Sequence, residues 1–363
     1  VINAGHEGFS HAYHNLKDVH DRLTGKKNDT RITMKYDGSP SVVFGRHPET
    51  GRFFVASKSA FNKNPKINYT LEDIERNHGH APGLVSKLRA ALQHLPKVTP
   101  KKGVFQGDIM HTAEDVHESD GRVHFTPNTI TYSAPKNSAH GKAALNSKIG
   151  VAIHTKYNGK NLEDMQAEHG AQLNDFGLHK DVHLISTEHH LDNIKFTPQN
   201  RERFAKAMTA AAAHNKKAKP ETYEAIKGHE IPLKTYINHT VRTGTKPSVE
   251  GFMNHYMKAH QKKIEGVKMA ASKASKTAAM ESDIGHVQRN RAHFENVLNQ
   301  HKHLQKAKDI LAHTLSSSAE FDHSINGKKS KPEGFVVVRH NRPTKIVDRA
   351  EFSAANFNKV KAQ

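Results

Sequence analysis

The chain contains no cysteine in 363 residues, which excludes a disulfide framework, thiolate zinc sites and a cysteine nucleophile, and suits a reducing compartment. Tryptophan is missing as well, and nothing follows from that. Long apolar runs are also absent. With a mean hydropathy of -0.75 and 35% hydrophobic residues, the chain can bury a core but offers no membrane span, so a soluble protein is expected. Negative charge is the scarcer sign: 36 Asp and Glu stand against 55 Lys and Arg, a formal net charge of +19 and a pI near 9.8. Cations lying along phosphates release counterions, so DNA or RNA is the expected partner. The chain opens at Val1 with neither methionine nor a signal-peptide pattern, the expectation being that an initial segment has been removed by processing.

What is present has two textures. Residues 8–23 place Phe9, Ala12, Tyr13, Leu16, Val19 and Leu23 at helical spacing, with Thr24 and Gly25 as the stop. Residues 31–35, 41–46 and 52–58 read as antiparallel strands, the last two joined by the hairpin loop "HPETG". Helices are expected over 71–77 and 84–95, then strands at "KKGVFQGDIM", "NTITYSA" and "KIGVAIHTKY". From about residue 159 to 318 the chain turns to Ala, Lys, His, Gln and Glu with helical periodicity. There "AKAMTAAAAHNKKAK" reads as a surface helix, and Val287, Phe294, Leu298, Leu304, Leu311 and Leu315 predict one long helix with a single apolar stripe. β character returns at "KPEGFVVVRH" and "TKIVDRAEF", so the sheet begun near Ile32 is completed roughly 290 residues later.

One short stretch carries chemistry. In "ITMKYDGSPSVVFG", Lys35 ends a strand and is followed by Asp37 and Gly38, a K-x-D-G pattern whose glycine lets the backbone approach a ligand closely. A strand lysine at a cleft becomes a nucleophile when desolvation or neighbouring cations lower its pKa. Alone the pattern recurs by chance, and Lys35 then reads as an edge-strand residue that guards against aggregation. Three further pieces follow in order: Asp108 at the end of "VFQGDIM", Glu333 and Gly334 with Val336 in "PEGFVV", and Lys345 in "TKIVDR". Each has a plainer reading too, as a strand-end acid, a turn acid after Pro332 and a solvated lysine.

Together these pieces resemble the covalent nucleotidyltransferase superfamily, the ATP-dependent DNA and RNA ligases and mRNA-capping enzymes. Their order is most similar to an uncharacterised ligase-like family of tailed bacteriophages. The resemblance covers roughly residues 30–157 and 328–352. It implies an α+β fold, a nucleotidyltransferase (ATP-grasp-like ligase adenylation) core of antiparallel sheets with a large helical insertion. The implied division is 1–158 and 319–363 for the core and 159–318 for the insertion. It further implies that Lys35 takes up AMP from ATP with Mg2+ or Mn2+, that Asp37, Asp108 and Glu333 hold the metal or ribose hydroxyls, with Asp108 and Glu333 as the metal ligands, and that Lys345 neutralises the α-phosphate. Lys35, Gly38, Asp108, Glu333 and Lys345 would line the nucleotide site, and a DNA or RNA end would take the AMP before joining.

The chain also departs from that pattern. Pro40 stands where many ligases have arginine, which leaves the duty to Arg46 or Lys58. Val347 replaces the second lysine of the last strand, with Arg349 two further along, and His154 and Tyr157 occupy the strand where an aromatic stacks on the base. The 18 residues after Lys345 leave no room for an appended oligonucleotide-binding barrel, so the helical region is expected to substitute for it. Its lysine-rich segments 216–219, 258–268 and 302–308 are expected to face solvent and meet phosphates. The loop "SKSAFNKNPKINY" adds lysines with Phe61 and Tyr69. Histidine is abundant, 30 residues, but "HEGFSH", "HGH" and "HKH" lack zinc-ligand companions, and "NGKKS" lacks the earlier glycine of a phosphate loop. The expected protein is a polynucleotide ligase or adenylyltransferase of the host cytoplasm during infection. The rival expectation is a catalytically degenerate nucleic-acid-binding protein packaged in the virion.

Overall fold

The computed structural model describes residues 1–347; Arg349 and the end of "TKIVDRAEF" lie outside them. Helices and sheets are mixed in an α+β arrangement. Two compact units emerge: a sheet unit of Lys27–Ile194 with Leu315–Val347, and a helical unit of Val1–Lys26 with Lys195–Thr314. The expected division at residues 158 and 159 therefore moves. Residues 166–186 add strands to the main sheet, helices resume only at Pro198, and the first helix belongs with the helical unit.

The sheet unit contains three sheets. The smallest joins β1 (Arg31–Lys35) to β14 (Gly334–Arg339) and β15 (Arg342–Val347), all antiparallel. The largest runs β10 (Gln166–His169), β9 (Ile149–Asn158), β5 (Val104–Thr112), β2 (Ser41–Arg46), β3 (Phe53–Ala56) and β4 (Ile67–Asn68), with β11 (Val182–Ser186) parallel to β9. The third contains β6 (His117–Ser119), β7 (Arg122–Phe125), β8 (Thr131–Pro135), β12 (Asp322–Ile325) and β13 (Lys328–Lys329).

Strand alternation decides which residues of the large sheet are covered. Val42 and Phe44 on β2, Phe105 and Ile109 on β5, and Val151 and Ile153 on β9 pack against α3 (Pro82–His94) through Val85, Leu88 and Ala91. α2 (Leu71–His78) precedes it, started by a capping box in which Thr70 accepts from the Asp73 N–H and Asp73 accepts from the Thr70 N–H. The odd-numbered positions of β2 and the even-numbered positions of β5 are thereby turned to the opposite face. α4 (Ala139–Asn146) leads into β9.

The helical unit holds α1 (Gly5–Leu23), α5 (Pro198–Lys217), α6 (Pro220–Ile226), α7 (Glu230–Thr243), α8 (Val249–Glu265), α9 (Ala270–Arg289) and α10 (Arg291–Leu315). Its core gathers Leu233, Tyr236, Ile237, Phe252, Val287, Phe294 and Leu298. The long helix expected from Val287 onward is broken at Asn290, whose side-chain Nδ2 donates to the His286 carbonyl at 2.9 Å, so Val287 falls in the last turn of α9 and Phe294 begins the stripe of α10. Among the described residues no helix is long and apolar enough to cross a membrane.

Candidate functional site

The small sheet supplies one wall of a cavity of about 620 Å³, within the usual range for small-molecule sites. Ile32 and Met34 of β1 are buried, so alternation turns Thr33 and Lys35 toward the cavity. Thr33 pairs with Val336 and Val336 with Lys345, a cross-strand row that faces the same space. Lys35 pairs with Gly334. A Cβ at Gly334 would stand 2.3 Å from the Ile346 carbonyl oxygen, so only glycine lets the strands close and brings the preceding Glu333 beside Lys35. The Lys35 ammonium donates to Glu333 Oε1 in a short ion pair.

The large sheet supplies the opposite wall with Ser41, Gln106, Asp108, Ala152, His154, Thr155 and Tyr157. Pairing of β5 with β9 skips His154, a bulge that puts both His154 and the following Thr155 on the cavity. Gly38 brings the turn after β1 onto this wall: a Cβ there would lie 2.5 Å from Asp108 Cβ and 2.9 Å from Met110 Sδ. At one end the Tyr157 hydroxyl donates to Gln106 Oε1 at 2.5 Å, and Gln106 Nε2 donates to Ser41 Oγ at 2.9 Å. Phe61 packs on Tyr157 with ring centroids 4.4 Å apart, and Lys58 lies nearby on the same lining.

Charge is concentrated at the other end. Glu333 is buried, 8% exposed, and its Oε2 has no hydrogen-bond partner. Burial raises its carboxyl above the ordinary range, Lys35 pulls it back, and Asp37 and Asp108 add repulsion. Asp108 is partly exposed, with His154 Nε2 3.7 Å from its Oδ2. Burial, helped by His154, lowers the pKa of His169 on the same cavity. Two carboxylates on one cavity, one carrying an orphaned buried oxygen, suit a hard divalent cation. Among the described residues no group of three or more acids and histidines is placed to hold a metal, so Mg2+ or Mn2+ would draw its remaining oxygen ligands from a bound phosphate and water.

Lys35, Gly38, Lys58, Asp108, Glu333 and Lys345 therefore meet on one cavity. Arg46 does not. It ends β2 five residues beyond Ser41, about 17 Å along a strand, where its guanidinium lies over the Phe53 ring at 5.3 Å. Asp37 borders the cavity, but its carboxylate is engaged: Asn128 Nδ2 donates to Oδ1 at 2.9 Å, and the N–H groups of Thr129 and Ile130 donate to Oδ2 at 2.7 and 3.0 Å. Those bonds tie the Lys35 turn to residues 128–130. Tyr69 leaves the cavity as well, stacked under Arg52 at 4.4 Å. Sequence reading missed Gln106 and Ser41; the signal was Gln106 two residues ahead of Asp108, which puts both on one strand face.

Over residues 1–361 the chain matches the family of unknown function DUF6267, and it belongs to that family. No curated protein and no solved structure matches it.

Proposed function

We propose that the cavity binds a nucleoside triphosphate, ATP first among them, and that Lys35 accepts its nucleoside monophosphate for transfer to a DNA or RNA end. The observation that carries this reading is the meeting of Lys35, Asp108, Glu333 and Lys345 on one small cavity, with Lys35 and Glu333 in contact across 298 residues of sequence. A nucleotidyltransferase-type core with a helical insertion accounts for that order of pieces.

For Lys35 to attack, a base must take a proton from it. Glu333 accepts its hydrogen bond, and burial makes this carboxylate a stronger base than an exposed one. Once the proton has passed to Glu333, the amine attacks the α-phosphorus. An N–P bond forms, the P–O bond to pyrophosphate breaks, pyrophosphate carries off the proton that Glu333 took, and the second N–H proton passes to water. Lys345 faces the same space and offsets charge building on the α-phosphate. A bound Mg2+ or Mn2+, held by Asp108 with phosphate and water oxygens while Glu333 serves as the base, would supply further charge neutralisation. Tyr157, Phe61 and the Gln106 amide offer a stacking and hydrogen-bonding end for a base. In the return step a 5′-phosphate oxygen attacks the same phosphorus, the P–N bond breaks and the lysine recovers a proton. A 3′-hydroxyl then displaces AMP.

The test is incubation with each of the four α-labelled nucleoside triphosphates and Mg2+. Label that survives denaturation and falls to background in Lys35→Ala is the expected outcome. Equal labelling of Lys35→Ala would remove the lysine from its role. No label from any nucleotide would replace the enzyme with a catalytically silent nucleic-acid-binding protein.

A further inference from the structure

Residues 258–276 contain six lysines, Lys258, Lys262, Lys263, Lys268, Lys273 and Lys276, against the single acid Glu265. They occupy the second half of α8, the first half of α9 and the short turn between these packed helices. All six are exposed, and among the described residues none enters an ion pair. Some exposed lysines elsewhere do: Lys17 with Asp21, Lys206 with Glu202, Lys136 with Glu118. On α8 the buried side of Val249, Phe252, Tyr256 and Ile264 leaves Lys258 and Lys262 on the outer side. On α9 the exposed neighbours are small, Ala270, Ala271, Ala274, Ala278 and Ala279, so a partner's backbone can come close to the helix. At the tip Met269 is 69% exposed, beside Lys268.

Packing alone does not explain this hairpin, because clustered like charges repel and an exposed methionine gains nothing from burial it does not have. A polyanion relieves the repulsion, and an apolar tip suits a partner with an apolar interior reached between charged rails. We infer that the α8 and α9 hairpin is a docking surface for double-stranded nucleic acid, its lysines on the phosphates and Met269 against the groove. Such contacts are independent of base sequence and weaken steeply with salt. This surface is separate from the cavity chemistry and stands without it.

The experiment titrates the full chain with a labelled duplex of mixed sequence at salt concentrations from about 50 to 200 mM. Replacing Lys262, Lys263, Lys268 and Lys273 by Gln keeps helix propensity nearly unchanged. It should weaken binding at least tenfold and flatten the slope of log K against log salt by about 3.6, near 0.9 per lost phosphate contact. Met269→Ser should weaken binding with the slope unchanged. A control with the exposed Lys101, Lys102, Lys142 and Lys180 changed to Gln carries the same charge loss and should bind nearly as the parent does. Equal loss in the control, unchanged binding in the hairpin variant, or no duplex binding by the parent would each overturn the proposal. So would hairpin-dependent binding confined to a single strand or to phosphatidylserine vesicles. The hairpin variant should keep nucleotide labelling of Lys35; absence of label in the parent would overturn the reading of the cavity alone.

Discussion

The Asp37 carboxylate accepts from Asn128 Nδ2 and from the N–H groups of Thr129 and Ile130, while its own N–H donates to the Tyr132 hydroxyl at 2.7 Å. Hydrogen bonds to a charged group contribute about 1.5–3 kcal/mol each, so Asp37→Ala should destabilise the chain by about 3 kcal/mol or more. Asp37→Asn keeps the oxygen that the two N–H groups need, and the Asn128 amide can turn over to meet the new one. The asparagine variant should therefore melt between parent and alanine variant and retain most labelling of Lys35. Loss of labelling at an unchanged melting temperature would show that the carboxylate acts on the ligand directly. At this scale the sequence discloses identity better than duty. Lys35, Asp108, Glu333 and Lys345 stand out by residue type and order, but the donors that occupy Asp37 lie 91 to 93 residues away. Arg46 was misplaced for a related reason: strand length and parity, not proximity to the motif, decide which side chain reaches the cavity.

Two glycines, Gly38 and Gly334, set the spacing of the elements. Gly334 lets β14 close on β15, and any Cβ there meets the Ile346 carbonyl. Gly334→Ala should separate the strands and move Lys345 away from Lys35. The expected result is a lower melting temperature, from a destabilisation of about 2 kcal/mol or more, with labelling reduced at least tenfold. Labelling at the parental rate would mean that this strand register does not govern the site. The short apolar, β-branched strands β1, β2 and β14 were legible in sequence. β10 and β11 were not, because "QAEH" is polar and the helical composition around it hides a strand whose partner, β9, lies earlier in the chain. The bulge at His154 is invisible for the same reason, since a bulge exists only relative to a partner strand. The break at Asn290 interrupts a stripe whose spacing, Val287 to Phe294, continues through it.

Across the whole molecule the division of labour is one of charge and protonation. In the sheet unit His111 Nε2 meets His183 Nδ1 at 3.0 Å, His183 Nε2 meets His140 Nδ1 at 2.9 Å, and His140 Nε2 lies 3.1 Å from Glu320. Burial lowers His183 well below its ordinary value and takes His111 and His323 down to about 4. Unfolded, these rings take protons below about pH 6.5; folded, they refuse them. Their contribution is intact above pH 6.5 and is lost as pH falls toward 4, at up to about 1.4 kcal/mol per pH unit for each ring. Calorimetric melting of the sheet unit should show that decline between pH 6.5 and 4.5, and a flat profile would count against neutral buried histidines. The helical texture and the basic excess were plain in the sequence; the true boundary was not, because unit membership follows contacts, and the chain enters the sheet unit twice. That double entry bears on biosynthesis. β1 pairs with β14, so the Lys35 strand leaves the ribosome roughly 300 residues before its partner, about 15–60 s earlier at ordinary translation rates. During that interval β1 is an exposed edge for chaperones to shield, and the cavity stays incomplete on the nascent chain until residues 334–347 emerge.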